Sequence, residues 1–234
     1  MVWRMATVDV TVFGAGVFGL SVAYAVAKTG AKVRVIDPNG VGSGSSGGLV
    51  GALAPHVPEV WNEKKAFQLE SLLMSDAYWA EVADRSGMKT GYMRSGRLQP
   101  LADEAAIALA RARAQGARDL WQGRAGWTVR PATGSKWEPQ SPSGWLVHDS
   151  LTARIHPRMA TAALGAALKE LGVPIVTDGR REGKIVHATG WQGLVALSSA
   201  MGKSVGIGVT GQVAGVEPQK RRLPLDPDPD RKGL

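Results

Sequence analysis

Three glycines, Gly14, Gly16 and Gly19, stand in the spacing G-x-G-x-x-G. The chemistry such a triplet serves is the binding of a pyrophosphate by backbone. Gly14 permits a tight turn, Gly16 lets the pyrophosphate reach the main chain, and Gly19 lets a helix lie close to a strand. A helix starting here offers free N–H groups and a partial positive charge to the phosphates. Phe18, inside the triplet, is counted with its cofactor-binding residues. Asp37 follows about twenty positions on, where a carboxylate accepts hydrogen bonds from a ribose diol. A second cluster, GVGSGSSGGLVGAL, sets Ser43, Ser45 and Ser46 among glycines. Such a loop wraps a pyrophosphate and approaches a flavin ring with N–H groups and hydroxyls. The triplet alone suits FAD and NAD equally; the serine–glycine loop favours FAD. The plain alternative is a glycine turn that only packs, with Asp37 as a surface acid.

The elements that must hold these residues surround them. Residues 8–13 form a β-rich run ending at glycine. Residues 17–29 read as a helix with Leu20, Ala23, Tyr24 and Ala27 on one face, stopped by Gly30, and residues 32–36 as a second strand. Strand, turn, helix and strand fill about thirty residues, the size of one βαβ unit. Further on, 63–86 reads as a helix with a stripe of Phe67, Leu69, Leu72, Leu73, Trp79 and Val82. A strand with a glycine interruption is expected at 94–101, a helix at 103–121, loop with short strands at 122–144, and a strand at 145–148. Pro157 suits a helix first turn, and that helix closes at Gly172. Strands are expected at 173–177 and 184–190. The fold class is α/β: a Rossmann-like FAD-binding domain with a partial α+β substrate domain. The division expected is 1–90 and 150–215 for FAD binding, 91–149 for the partial substrate domain, and 216–234 for an irregular tail.

Composition narrows the function. The formal charge is +8, but its Lys and Arg are not clustered, so a nucleic-acid footprint is not expected. There is no cysteine, which excludes disulfides, thiol catalysis and a flavin attached through cysteine, and is compatible with the cytoplasm. No apolar run reaches the ~20 residues of a membrane span, and the opening MVWRMATVDV lacks the pattern of a signal peptide. His148 and His156 flank Asp149 without the ligand spacing of a metal site.

The order VFGAGVFGLSVAYAVAKTGAKVRVID, then GSGSSGGLVGAL, resembles the D-amino-acid oxidase and glycine oxidase family of flavoproteins. The resemblance implies that Ser46 meets the cofactor, and that Gly47, Gly51 and Ala52 form backbone passing near the flavin; Ser45 is counted with the cofactor-binding residues from the loop itself. HDSLTARIHPRMATAAL resembles the family's segment before a long helix, with Pro157 and Arg158 as its Pro-Arg pair. KIVHATGWQGL resembles the strand and turn whose Ala188, Thr189, Gly190 and Trp191 approach the nucleotide, and VGIGVTGQV the segment after it, with Gly211 and Gln212 matching. Val176 stands where a residue passes the adenine, with a core role as its alternative. The implied activity is hydride transfer from an amine or small D-amino acid to FAD. Oligomeric state is not readable.

The family is usually longer by about a hundred residues, and its pattern stops here near Gly211 or Gln212 before a Pro-, Arg- and Asp-rich tail. A truncated or frame-shifted product and a real short variant both fit. The expectation is an exposed apolar edge and an incomplete active site. The arginine that clamps a substrate carboxylate tends to lie beyond the match in the resembled family. Arg94 and Arg97 sit in a strand and suit a framework role; His56 follows the flavin loop and suits a loop position or a substrate contact. No catalytic residue is assigned. Beside the flavoenzyme stand two rivals: an NAD-dependent dehydrogenase, and a non-catalytic nucleotide-binding fragment.

Overall fold

A computed structural model describes residues 7–209. The expected βαβ unit is present: β1 (Val10–Phe13), α1 (Val17–Ala27) and β2 (Val33–Ile36). β1 and β2 pair in parallel with Val12 opposite Val35. The 3-10 turn Ser45–Gly47 and β3 (Gly51–Leu53) follow, then α2 (Glu63–Ser86), β4 (Arg97–Pro100) and α3 (Glu104–Trp121). The remainder is β5 (Trp127–Pro131), β6 (Trp145–Asp149), β7 (Ala153–Ile155), α4 (Pro157–Glu170), β8 (Ile175–Val176), β9 (Lys184–His187) and α5 (Gly190–Met201).

The described residues form three sheets. A four-stranded sheet has the order β8-β2-β1-β9, all parallel. β3 and β7 make an antiparallel pair, and β4-β6-β5 an antiparallel sheet. Parallel strands bury continuous apolar runs, and here Val12, Val33 and Val35 pack under Leu20, Ala23 and Tyr24 of α1 and Ala163, Leu164, Ala167 and Leu168 of α4. Pro157 opens α4, and His156 Nδ1 accepts the Met159 N–H.

α2 joins two apolar clusters. Its N-cap Asn62 accepts the Lys65 N–H at 3.1 Å, and Gly87 ends it in the left-handed conformation. Trp79 and Val82 enter the cluster under the parallel sheet. Leu69 and Leu72 join Ile107, Ala110, Ala117 and Trp121 of α3 against Trp127 and Val147. Phe67 does not share that stripe and is 79% exposed; two residues before Leu69, it falls on the opposite side of the helix.

Some elements differ from expectation. β8 is only two residues long, and β3 and β7 were not foreseen. The stretch from 190 is a twelve-residue helix, α5, where sequence indicated only a turn. α5 has no buried residue, and Trp191, Leu194, Val195, Leu197 and Met201 are exposed. The chain beyond it lays Gly206 and Gly208 against Leu194 and Trp191 and leaves Val205, Ile207 and Val209 outward. Among the described residues this leaves an exposed apolar edge. The tail 216–234 and the pair Gly211 and Gln212 lie outside the described residues. No helix among the described residues is long and apolar enough to cross a membrane.

Candidate functional site

The glycine triplet forms the link from the carboxyl end of β1 to α1, where open parallel sheets place their ligands. Each glycine has a different reason to be one. Gly14 has φ +106°, and a Cβ there would lie 2.2 Å from the Ala188 carbonyl oxygen. A Cβ on Gly19 would lie 1.8 Å from the Gly14 carbonyl oxygen. Those two glycines pack backbone on backbone. Gly16, the N-cap of α1, is different: its Cβ would meet only the Ser46 side chain, with Oγ at 3.2 Å. Space otherwise stands open in front of it.

Two side chains fix this turn from outside. Asp37, just past β2, accepts the Ala15 N–H on Oδ2 at 2.7 Å and the Asn39 N–H on Oδ1 at 2.9 Å. Ser46 Oγ accepts the Val17 N–H at 3.0 Å. Gly42 donates its N–H to the Ala15 carbonyl at 2.9 Å. Among the described residues no acceptor meets the N–H groups of Phe18 and Gly19. The first turn of α1 therefore keeps donors for a ligand. The Phe18 side chain is 80% exposed. Orphan donors, an open approach at Gly16 and a carboxylate at the end of β2 fit a dinucleotide.

The other expected residues fall as follows. Ala188 donates its N–H to the Phe13 carbonyl at 2.7 Å and touches Gly14. Thr189 caps α5 without a side-chain bond, and Gly190 opens that helix at φ +63°. Val176 ends β8, where its carbonyl accepts the Asp37 N–H at 2.9 Å. Ser45 is exposed, and Gly47 donates its N–H to the Gly44 carbonyl. Gly51 and Ala52 belong to β3, and a Cβ on Gly51 would sit 2.7 Å from Ile155 Cγ2, a packing reason for that glycine. The structure thus gathers Gly14, Gly16, Gly19, Asp37, Ser46 and Ala188 around one turn. Arg158 is an addition: its Nε donates to the Gly47 carbonyl at 2.5 Å.

α1 is also fixed along its length. Tyr24 Oη donates to Glu81 Oε1 at 2.8 Å, and Lys28 Nζ donates to Glu81 Oε2 at 2.7 Å. The Lys28 ammonium, then the Tyr24 hydroxyl, hold the Glu81 carboxyl below its ordinary range. Burial first, then the bond to Glu81, raises the Tyr24 hydroxyl.

The arginines considered for a substrate clamp are committed elsewhere. Arg94 donates from Nε to the Ser150 carbonyl and lies 3.5 Å from Asp76. Arg97 pairs at 3.1 Å with Asp149, which is fully buried. His56 is half-buried, with its N–H donated to Gln68. A hollow of about 810 Å³ lies away from the glycine turn, beside Arg97, Arg130, Trp137 and His148. A smaller one of about 400 Å³ adjoins the serine–glycine loop, lined by Gly42, Ser43, Gly44, Gly47, Arg158 and Thr161. The second lies between the loop and the start of α4, and its lining includes none of Gly14, Gly16 and Gly19. No group of acids and histidines among the described residues forms a metal site.

Known proteins bear on this geometry. Residues 9–223 match the family model described as DAO, FAD dependent oxidoreductase. A glycine oxidase from Geobacillus kaustophilus superposes with a TM-score of 0.66 at 18% identity, covering 83% of this chain and 58% of that one. An L-amino acid deaminase from Proteus vulgaris superposes with a TM-score of 0.65 at 16% identity, covering 86% of this chain and 51% of that one. The tRNA 5-methylaminomethyl-2-thiouridine biosynthesis bifunctional protein MnmC of Leptospira interrogans is 29% identical over 87 residues, 37% of this chain and 13% of that protein. The chain thus spans little more than half of the two solved proteins and a small part of the third.

Proposed function

The chain belongs to the FAD dependent oxidoreductase family, and on that premise we propose that it binds FAD at the β1–α1 turn in the service of oxidising an amine or a small amino acid. The observation that carries the site is Gly16, where only Ser46 borders an otherwise open approach to the free donors of α1. The bound flavin would accept a hydride from the carbon that bears the amine. The chain's own residues bind and orient. The N–H groups of Phe18 and Gly19 would hold phosphate oxygens and the lone pairs left on Asp37 would accept from the ribose, while Ser46 holds the loop against α1. The remaining residues of the site reading are Gly14, Ser45, Gly47, Gly51, Ala52, Val176, Ala188, Thr189 and Gly190. In this reading 1–90 and 150–215 form the FAD-binding domain and 91–149 part of the substrate domain. The amino-acid substrate class is supported by the fold shared with a glycine oxidase and an L-amino acid deaminase. The cytoplasmic setting proposed for the chain is compatible with the absence of cysteine.

A second reading, nucleotide binding without turnover, is favoured by one observation: Arg94 and Arg97 are both held by protein groups. Flavin titration tests the first part, since Gly16→Val should abolish FAD binding while leaving the fold intact. Reduction of bound FAD by glycine, D-alanine or N-methylglycine tests the second. Bleaching of the flavin supports the oxidoreductase, and bound FAD that stays oxidised supports the nucleotide-binding reading.

A further inference from the structure

The loop 42–48 carries Gly42, Gly44, Gly47 and Gly48. So many glycines give the unfolded loop wide conformational freedom. Ser46 nevertheless has to stand at one place, with Oγ on the Val17 N–H. On one side the loop is tied to the turn it serves, through Gly42 N–H to the Ala15 carbonyl and Ser46 to Val17. On the other side it meets the first turns of α4. A Cβ on Gly42 would lie 2.7 Å from Thr161 Oγ1, so the loop backbone runs close over that helix. Arg158, the second residue of α4, donates from Nε to the Gly47 carbonyl at 2.5 Å. Among the described residues no other side chain donates to a carbonyl of 42–48. α4 packs on α1 in the same apolar cluster, so both anchors belong to one frame.

We propose that Arg158 is a positioning residue that latches the 42–48 loop to α4 and so holds Ser46 over the α1 N-terminus. A guanidinium suits the task because its donors are planar and directional, and it is always charged. Nε takes the Gly47 carbonyl, next to the residue that must be placed. The latch acts on the loop before any ligand arrives. Its consequence for cofactor affinity rests on the FAD reading above; its effect on the loop does not.

The test separates the two. Amide hydrogen exchange of the ligand-free protein is followed in peptides covering 42–48, with peptides from β1 and α4 as internal controls. Arg158→Ala should speed exchange across 42–48 by about tenfold and leave the controls unchanged. Arg158→Lys should restore part of the protection, because a donor remains. FAD titration of the same proteins should show affinity falling about tenfold in Arg158→Ala and less in Arg158→Lys. Should Arg158→Ala not fold, Arg158→Gln is read in the same way. Faster loop exchange in a protein that binds no FAD would sustain the latch and refute the cofactor reading. Unchanged exchange at 42–48 overturns the latch whatever the flavin does.

Discussion

Asp37 Oδ2 accepts the backbone N–H of Ala15 at 2.7 Å, tying the end of β2 to the glycine turn. Ala15 is fully buried, so its N–H has no water to turn to. The carboxylate thus has a structural duty besides any ribose it meets. Asp37→Ala should lower the unfolding free energy of the ligand-free protein by about 1–3 kcal/mol, the cost of an unsatisfied buried donor. Asp37→Asn, which keeps an acceptor oxygen, should lose less. Urea unfolding without FAD measures both, and unaltered stability of Asp37→Ala would show that this bond does not hold the turn.

Gly14 and Gly16 should separate folding from binding. At Gly14 an alanine meets both a positive φ and the Ala188 carbonyl. Gly14→Ala should cost more than about 2 kcal/mol of stability. At Gly16 the backbone is extended, φ −78°, and the added methyl meets only the Ser46 side chain, whose Oγ at 3.2 Å must give way slightly. Gly16→Ala should cost under about 1 kcal/mol and act on nucleotide affinity instead. Thermal melts and flavin titration on both variants decide this; equal loss of stability would contradict the assigned roles.

The legible part of this protein is the part dictated by backbone. Gly14 and Gly19 announce their turn because no other residue fits there, Gly16 by its place in the same spacing, and Asp37 because its distance along the chain is set by one βαβ unit. What Asp37 touches was hidden, since a carboxylate's partner depends on where Ala15 arrives in space. Arg158 as a loop anchor was hidden for the same reason: 111 positions separate it from Gly47. α5 escaped because Gly190 and Gly193 lower helix propensity. β3 and β7, three residues each, are too short to show an alternation. The need for glycine at 51 was read as approach to a ligand, while the structure adds the Ile155 side chain as a reason.

Tyr92 should mark the alkaline limit of stability. Burial first, then the Asp76 carboxylate, pushes its hydroxyl up to about 12. Asp76 acts through its charge, but no hydrogen bond of ordinary geometry satisfies the buried oxygen. A pKa raised on folding leaves stability unaffected below the ordinary tyrosine value of about 10. Stability then falls as pH rises from there towards 12, because the unfolded chain ionises first. Tyr92→Phe should be neutral or mildly stabilising at pH 7 and should reduce the alkaline loss. Melts between pH 8 and pH 11 check it, and an unaltered alkaline slope would rule it out.

Asp149 and Arg97 should behave as one unit. Asp149 is fully buried and accepts the Thr152 N–H at 2.8 Å as well as Arg97 Nε at 3.1 Å. Asp149→Ala should cost about 3 kcal/mol, because two donors lose their acceptor. The double variant with Arg97→Met should cost less than the sum of the singles. Additive losses in urea unfolding would mean that the pair is not coupled.

The central claim is that FAD sits at the turn of Gly14, Gly16 and Gly19. Equilibrium titration of the 234-residue chain with FAD, followed by flavin absorption and fluorescence and repeated with NAD as competitor, tests it most directly. The account predicts saturable one-to-one FAD binding that NAD does not displace at equal concentration and that Gly16→Val abolishes. Absence of FAD binding by the folded chain, tighter binding of NAD, or full FAD affinity in Gly16→Val would contradict it.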